Sequence, residues 1–327
     1  MIITRTPFRV SFVGGGSDLR SFYSRHPGCV ISVTINKYMY LSVHKYFDSE
    51  QIHVRYNKVE LVNSVDEVKH PIVREALRLL RSQGGIEITS TADVPAGTGL
   101  GSSSSFAVGI LHCLYASQGV FVSKERLGKE ASEIEIDILK EPIGKQDHYA
   151  AAFGGFNCIR FYPDERVTVE PILTDLLTRK YLEERLMLFY LGGIRSAASI
   201  LHEQYSNTYD QCHFESLVHM AELAEKLRES LWQKRFDDFG DILHKAWILK
   251  RTLASGISNP RINLLYDRAL KAGALGGKLL GAGGNGFMLI YSPPERQQHV
   301  CRELAELKAF PFKFDMEGSR VIYVGES

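Results

Sequence analysis

Residues Pro95-Ala-Gly-Thr-Gly-Leu-Gly-Ser-Ser-Ser-Ser105 run directly into Phe106-Ala-Val-Gly-Ile-Leu-His-Cys-Leu114, so a glycine-rich loop feeds an apolar helix. Backbone N–H groups at a helix N-terminus, reinforced by the helix dipole, favour an anion. Gly97, Gly99 and Gly101 lack the Cβ that would keep a phosphate at a distance. The segment therefore reads as a phosphate cradle made by Pro95, Gly97, Gly99, Leu100, Gly101, Ser102, Ser103 and Ser104. Four consecutive serines add capping oxygens, hydroxyl donors and an oxygen ligand suited to Mg²⁺. A plain Gly/Ser turn capping a buried helix has the same composition. The Gly-Lys-Ser/Thr ending of a P-loop is missing, which disfavours a Walker-type NTPase.

Two further glycine clusters flank this one. Near the start stands Arg5-Thr-Pro-Phe-Arg-Val-Ser-Phe-Val-Gly-Gly-Gly-Ser-Asp-Leu19, and near the end Lys278-Leu-Leu-Gly-Ala-Gly-Gly-Asn-Gly-Phe-Met-Leu289. Gly281-Ala-Gly-Gly-Asn-Gly286 formally satisfies the dinucleotide pattern G-x-G-x-x-G, which requires a helix after it. Here the short apolar run Phe287–Tyr291 stops at Pro293-Pro294 and reads as a strand, so no hydride chemistry follows. A tight loop beside a nucleotide is the better expectation.

In order and spacing the three clusters resemble the signature motifs of the GHMP small-molecule kinases, the superfamily of galactokinase, homoserine kinase, mevalonate kinase and phosphomevalonate kinase. The resemblance spans nearly the whole chain. It implies ATP as donor, Mg²⁺ as cofactor and a two-domain α+β fold: a mixed-sheet N-terminal domain at 1–165 and a ferredoxin-like C-terminal domain at 166–327. It also implies that Mg²⁺ is held by a serine of the central motif and a glutamate of the next helix, here Ser103 and Glu135. The serine register is open by one, and Glu133 and Asp137 are rivals. Asp147, in Pro142-Ile-Gly-Lys-Gln-Asp147, matches the catalytic aspartate of galactokinase-like members, with Lys145 beside it to lower its pKa or to neutralise the moving phosphoryl group. Arg9 matches their active-site arginine and Asp18 their sugar-binding carboxylate, and Arg5 is a further basic candidate.

The pattern departs from galactokinase at Gly14-Gly15-Gly16, where that family carries Gly-Glu-His. Together with Ile35-Asn-Lys-Tyr-Met-Tyr-Leu41, Gly144-Lys-Gln-Asp-His-Tyr149 and Gly192-Gly-Ile-Arg-Ser-Ala197, the first motif looks most like the kinases of D-glycero-D-manno-heptose 7-phosphate. These act on the anomeric hydroxyl and feed GDP-heptose and surface-glycan synthesis. On that resemblance Gly15, Gly16, Ser17, Asp18, Arg195 and Gly283 are the expected acceptor-side residues. Arg195 would take the acceptor's own phosphate, with Arg20, Arg25 and Lys145 behind it. L-fucokinase-like or galactokinase-like activity stays open, as does a non-catalytic sensor of ATP and sugar.

Composition supports an ordinary globular chain. Its 327 residues suit about two domains, 44% are apolar and 24% charged, and 39 basic side chains nearly cancel 38 acidic ones. No global field invites nucleic acid or an anionic membrane. No apolar stretch approaches the ~20 residues of a membrane span, and Met1-Ile-Ile-Thr-Arg5 does not read as a signal peptide. Five scattered cysteines without a CxxC suit a reducing cytoplasm. The expected partners are a sugar phosphate and ATP, with a homodimer left open.

The elements that must position these residues alternate in type. Arg9–Val13, Tyr38–His44, Ile52–Tyr56, Ile86–Ser90 and Phe156–Tyr162 carry the β-branched and aromatic content of strands. Pro71 opens a helix that Gly84-Gly85 closes. Leu127, Ala131, Ile134 and Ile138 recur at helical spacing, although Ile134, Ile136 and Ile138 also alternate as in a strand; a helix is expected. The charged stretch up to Glu184 reads as the domain crossover. Beyond it come a strand at Leu186–Leu191, three or four helices within Ser196–Lys271, a helix near Glu295–Leu307 and a strand at Val321–Val324. This mixture argues α+β rather than a doubly wound sheet.

Overall fold

A computed structural model describes residues 1–193 and 198–325. The first half contains β1 (Ile2–Val13), α1 (Arg20–Tyr23), β2 (Gly28–Lys45), β3 (Ile52–Arg55), β4 (Val59–Val62), α2 (Pro71–Leu79), β5 (Ile86–Ala92), α3 (Ser102–Ser117), α4 (Lys124–Ser132), α5 (Gln146–Phe153) and β6 (Phe156–Phe161). Then follow β7 (Val167–Pro171), α6 (Leu176–Glu183), β8 (Leu186–Gly192), α7 (Ala198–Asn207), α8 (Gln211–Trp232), α9 (Asp238–Lys250), α10 (Pro260–Lys271), β9 (Gly276–Leu279), β10 (Gly286–Tyr291), α11 (Pro294–Glu303), β11 (Lys308–Ala309), β12 (Phe314–Asp315) and β13 (Arg320–Val324).

Among the described residues the strands form two sheets. The larger runs β13-β1-β2-β5-β3-β4, with β6 and β12 also on β2 and β7 on β6. Strand β2 makes this possible by its length: its first half pairs β6 and its second half pairs β5, both antiparallel. Only β3 against β5 is parallel among these pairs, so the sheet is mixed. Helix α3 covers it with almost every side chain buried from Ser104 to Tyr115, which is why its sequence is apolar all round.

The smaller sheet runs β11-β8-β10-β9, all antiparallel. In chain order that is 4-1-3-2 with helices between β8 and β9 and between β10 and β11, the ferredoxin-like arrangement expected from the resemblance. Phe287–Tyr291 lies in a strand, so the G-x-G-x-x-G of the third cluster opens no helix.

The two layers are sewn together. Strands β7, β12 and β13 all join the larger sheet, so a cut at 165/166 does not separate the sheets as the sequence suggested. Phe12 of β1 meets Phe239 of α9 at 5.1 Å and Phe156 of β6 at 5.6 Å, both edge to face. Rings in this geometry bury large area and add about 0.5–1.5 kcal/mol per pair. The end of β1 is thereby fixed against the second half of the chain, and the residues that follow β1 line the space between the halves.

Candidate active site

The central and third glycine clusters, distant in sequence, meet, and Gly15 and Gly16 of the first line the same cleft. An added Cβ at Gly99 (φ +85°) would stand 2.7 Å from the Leu280 carbonyl oxygen, and one at Gly281 would stand 2.5 Å from the Gly99 Cα. Glycine is required at this joint because backbone lies directly on backbone. Beside it opens a cleft of about 500 Å³ lined by Gly15, Gly16, Asp18, Gly97, Gly99, Ser103, Glu135, Asp147 and Lys250, among others. A cavity of this size with converging polar groups is what a small-molecule site looks like.

The central glycine loop ends at Gly101, and α3 begins at Ser102 with no side-chain cap. Its first-turn amides therefore have no intrahelical partner and face the cleft with the serines. Gly97, Gly99, Gly101, Ser102, Ser103 and Ser104 all line it. Pro95 and Leu100 do not: Pro95 accepts the Thr98 hydroxyl at 3.0 Å, and buried Leu100 accepts the Arg9 backbone N–H at 3.1 Å. Those two shape the loop rather than touch what it holds.

Arg9, 4% exposed on β1, grips Asp147 through Nε to Oδ1 at 2.6 Å and Nη2 to Oδ2 at 2.5 Å. Its Nη1 reaches the Gly99 carbonyl at 2.8 Å, tying the pair to the central glycine loop. Lys145 is not brought to this pair. It sits at the N-cap of α5, two residues before Asp147, and side chains two apart on a helix do not share a face. Its ammonium instead bonds Glu165 and lies 5.0 Å over the Tyr23 ring, away from the cleft, which corrects the catalytic role expected of it. Arg20 likewise binds Asp137 and Glu165, and Arg25 donates to the Thr208 carbonyl. Arg5 pairs with Glu317 and is absent from the cleft lining.

At the end of the cleft expected to take the acceptor, Asp18 is buried, accepting from Gly16 N–H at 2.9 Å, Gln146 Nε2 at 3.0 Å and Gln146 N–H at 3.2 Å. Burial, and then the charge of Asp147, push its pKa up. Ser17 is spent on structure, donating to the Gly14 carbonyl and accepting from Cys29 N–H, and lies outside the cleft. Gly283 packs on the Ile257 backbone, and Gly281 and Ala282 form the wall in its place. Arg195 lies outside the described residues.

For the metal, Ser103 Oγ donates to Glu135 Oε1 at 2.5 Å, and Glu135 Oε2 meets His148 Nε2 at 2.7 Å. Glu135 sits in a π-helical turn, Glu133–Ile138, that follows α4. Such turns re-aim side chains and recur at functional sites. Helical structure here settles the Ile134–Ile138 ambiguity and sends alternate acids to different sides: Glu133 toward Lys129, Asp137 toward Arg20 and Glu135 into the cleft. Two oxygen donors at the helix mouth suit a hard cation.

Sequence reasoning missed Lys250, Gln146, Gln204, His70 and Lys278. His70 lines the cleft beside Pro71 and stacks on Phe106 at 4.6 Å, and burial lowers its pKa. Lys250 closes α9, 5% exposed, and donates to the Gly281 carbonyl. Burial, and then Arg9, lower its pKa to about 8. Lys278 of β9 lies behind it, donating to the Phe12 carbonyl at 3.0 Å, with its pKa lowered by burial and by Lys250. The available signal was a lysine ending the apolar run Ala246-Trp-Ile-Leu249, a place where a solvated charge is the ordinary expectation.

This loop-and-helix cradle joined to a ferredoxin-like half matches known families. The model of the GHMP kinases N terminal domain matches residues 71–155, and that of the GHMP kinases C terminal domain matches residues 221–308. The chain belongs to the GHMP kinases. Over 97% of its own length and 97% of the relative's, it is 29% identical to a D-glycero-alpha-D-manno-heptose 7-phosphate kinase of Campylobacter jejuni. A crystal structure described as a D-glycero-D-manno-heptose 1-phosphate kinase from Bacteroides thetaiotaomicron superposes with a TM-score of 0.82 at 25% identity, covering 100% of both chains. Lactococcus lactis galactokinase complexed with galactose shares the fold, with a TM-score of 0.80 at 15% identity over 98% of this chain and 94% of that one. No described helix is long and apolar enough to cross a membrane.

Proposed function

We propose that this protein transfers the γ-phosphoryl group of ATP, with Mg²⁺, to the anomeric hydroxyl of a sugar phosphate, D-glycero-D-manno-heptose 7-phosphate, giving the 1,7-bisphosphate. The observation that carries the reading is the Arg9–Asp147 pair standing at the foot of the phosphate loop. Phosphoryl transfer asks for positioning and charge neutralisation more than covalent chemistry. The Gly97–Ser104 loop and the α3 N-terminus would hold the nucleotide phosphates. Ser103 and Glu135 supply oxygens for Mg²⁺, which when bound neutralises charge on the β- and γ-phosphates.

Asp147 keeps acceptor capacity after both oxygens bond Arg9, because a carboxylate offers about four lone-pair positions. It takes the proton of the acceptor hydroxyl as that oxygen bonds to the γ-phosphorus, and the bond from phosphorus to the β-phosphate oxygen breaks to release ADP. Asp18 with Gly15 and Gly16 faces the same space and would orient sugar hydroxyls. Arg195 is the proposed partner of the acceptor's own phosphate. The names of the relatives from Campylobacter jejuni and Bacteroides thetaiotaomicron support a heptose phosphate as acceptor.

The test is product analysis by ³¹P NMR with ATP, Mg²⁺ and a panel of heptose 7-phosphate, free heptose, fucose and galactose. A new anomeric phosphate resonance from heptose 7-phosphate at the highest kcat/KM is expected. Preference for a free sugar would overturn the acceptor assignment.

A further inference from the structure

Resting on the phosphotransfer reading above, we propose that Lys250 is a catalytic residue, its ammonium holding the non-bridging oxygens of the phosphoryl group as it passes from nucleotide to acceptor. Asp18, Glu135, Glu141 and Asp147 line the cleft, and the polyphosphate of the donor adds further negative charge. Arg9 already commits three donors, two to Asp147 and one to the Gly99 carbonyl. Lys250 also lines the cleft, and among the described residues its ammonium makes one hydrogen bond, to the Gly281 carbonyl, and no ion pair. An ammonium has three donors, so two remain for a ligand.

Its position is equally specific. Gly281 rests on Gly99, whose carbonyl binds Arg9, so Lys250 and Arg9 reach the same joint between the two glycine loops from opposite halves of the molecule. A phosphoryl group moving from the phosphate loop toward Asp147 passes this joint. The charged groups facing Lys250 are Arg9 on β1, Asp18 after β1, Asp147 on α5 and Lys278 on β9. Burying an ammonium at 5% exposure without a carboxylate partner is costly, and a methionine would fill the space at less cost. The phosphoryl group in transit supplies the missing partner. In the step itself the acceptor oxygen–phosphorus bond forms, the phosphorus–oxygen bond to ADP breaks with its electron pair leaving on ADP, and the hydroxyl proton goes to Asp147. Lys250 keeps its protons throughout and lends only hydrogen bonds and charge.

Lys250→Met and Lys250→Arg in the full chain test this. Steady-state kinetics with ATP and heptose 7-phosphate should show kcat of the Met variant reduced ~10²-fold or more, as for loss of a donor to developing charge. Both KM values should move by less than about threefold, the signature of an interaction made in the transition state. The Arg variant should recover part of kcat, which a purely structural tether to Gly281 does not require, and the Met variant should melt no lower than the parent. Slow ATP hydrolysis, with water as acceptor, separates this proposal from the acceptor assignment. If the parent phosphorylates no sugar but the Met variant still hydrolyses ATP more slowly than the parent, the acceptor assignment falls and Lys250 stands. If the Met variant matches the parent in hydrolysis and in kcat, the role assigned to Lys250 is wrong.

Discussion

Arg9 holds both carboxylate oxygens of Asp147, at 2.6 Å and 2.5 Å, from a strand that begins the chain to a helix that starts at Gln146. The bidentate geometry fixes the carboxylate plane at the edge of the cleft, where the proposed function places the acceptor hydroxyl. Asp147→Asn preserves the shape and one acceptor oxygen but removes the base. We expect kcat to drop by ~10²–10⁴-fold, the usual range for a general base, with ATP affinity within about threefold of the parent. Titration with a fluorescent ATP analogue alongside turnover assays checks both halves; unchanged kcat at saturation would remove Asp147 from the chemistry.

Ser103 and Glu135 touch each other, and Glu135 is backed by a fully buried His148. Replacing them together, Ser103→Ala with Glu135→Gln, should raise the Mg²⁺ concentration for half-maximal rate by ~10-fold or more, since partners that support a metal site contribute on that scale. The measurement is a Mg²⁺ titration at fixed ATP. A Mg²⁺ dependence identical to the parent's would remove these two as ligands.

The parts of this site that depend on local chain geometry were legible in the sequence. A loop of alternating glycines entering a helix announces an anion cradle, and Asp147 and Arg9 followed from motif resemblance. The ferredoxin-like half was expected from the resemblance; of its strands, β8 and β10 stood out as the short apolar runs Leu186–Leu191 and Phe287–Tyr291, whereas β9 (Gly276–Leu279) and β11 (Lys308–Ala309) carry no such run. What escaped depends on which way a side chain leaves its element. Lys145 stands two residues before Asp147 and points elsewhere, whereas Lys250 is remote and points in. The pairing of β13 with β1 escaped for a different reason, since a register across more than three hundred residues leaves no local mark.

Lys145→Ala should accordingly leave kcat within about threefold of the parent, the opposite of what adjacency to Asp147 suggests. Its partner Glu165 is half exposed and also bound by Arg20, so the stability loss should be about 1 kcal/mol or less. Urea denaturation with parallel kinetics tests this. A hundredfold fall in kcat without unfolding would restore Lys145 to the reaction.

Gly99→Ala probes the joint between the loops. Its φ of +85° costs an L-residue about 1–2 kcal/mol, and the new Cβ would also press on the Leu280 carbonyl at 2.7 Å. The loops must part or the cradle must deform, so stability should fall and KM for ATP should rise more than KM for the acceptor. Equal changes in the two KM values would show that the joint does not shape the nucleotide side.

Lys250 carries a signature that separates a functional charge from a structural one. Its pKa is about 8 in the folded chain, lowered chiefly by burial, against 10.5 when unperturbed. Between those values the unfolded chain binds a proton that the folded chain has released, so stability of the ligand-free protein rises with pH across that window. Below pH 8 the folded chain must bury the charge, at a cost of about 3 kcal/mol for a shift of this size. Lys250→Met abolishes that cost. The variant should therefore be more stable than the parent at pH 7 by about 1–3 kcal/mol, with the advantage shrinking as pH rises from about 8 toward 10.5. Gain of stability with loss of turnover is expected where a site holds a strained group for use. Urea unfolding of both proteins across pH 6.5–10 makes the comparison: a parent more stable than the variant at pH 7, or a difference independent of pH, would show that the lysine is held as structure.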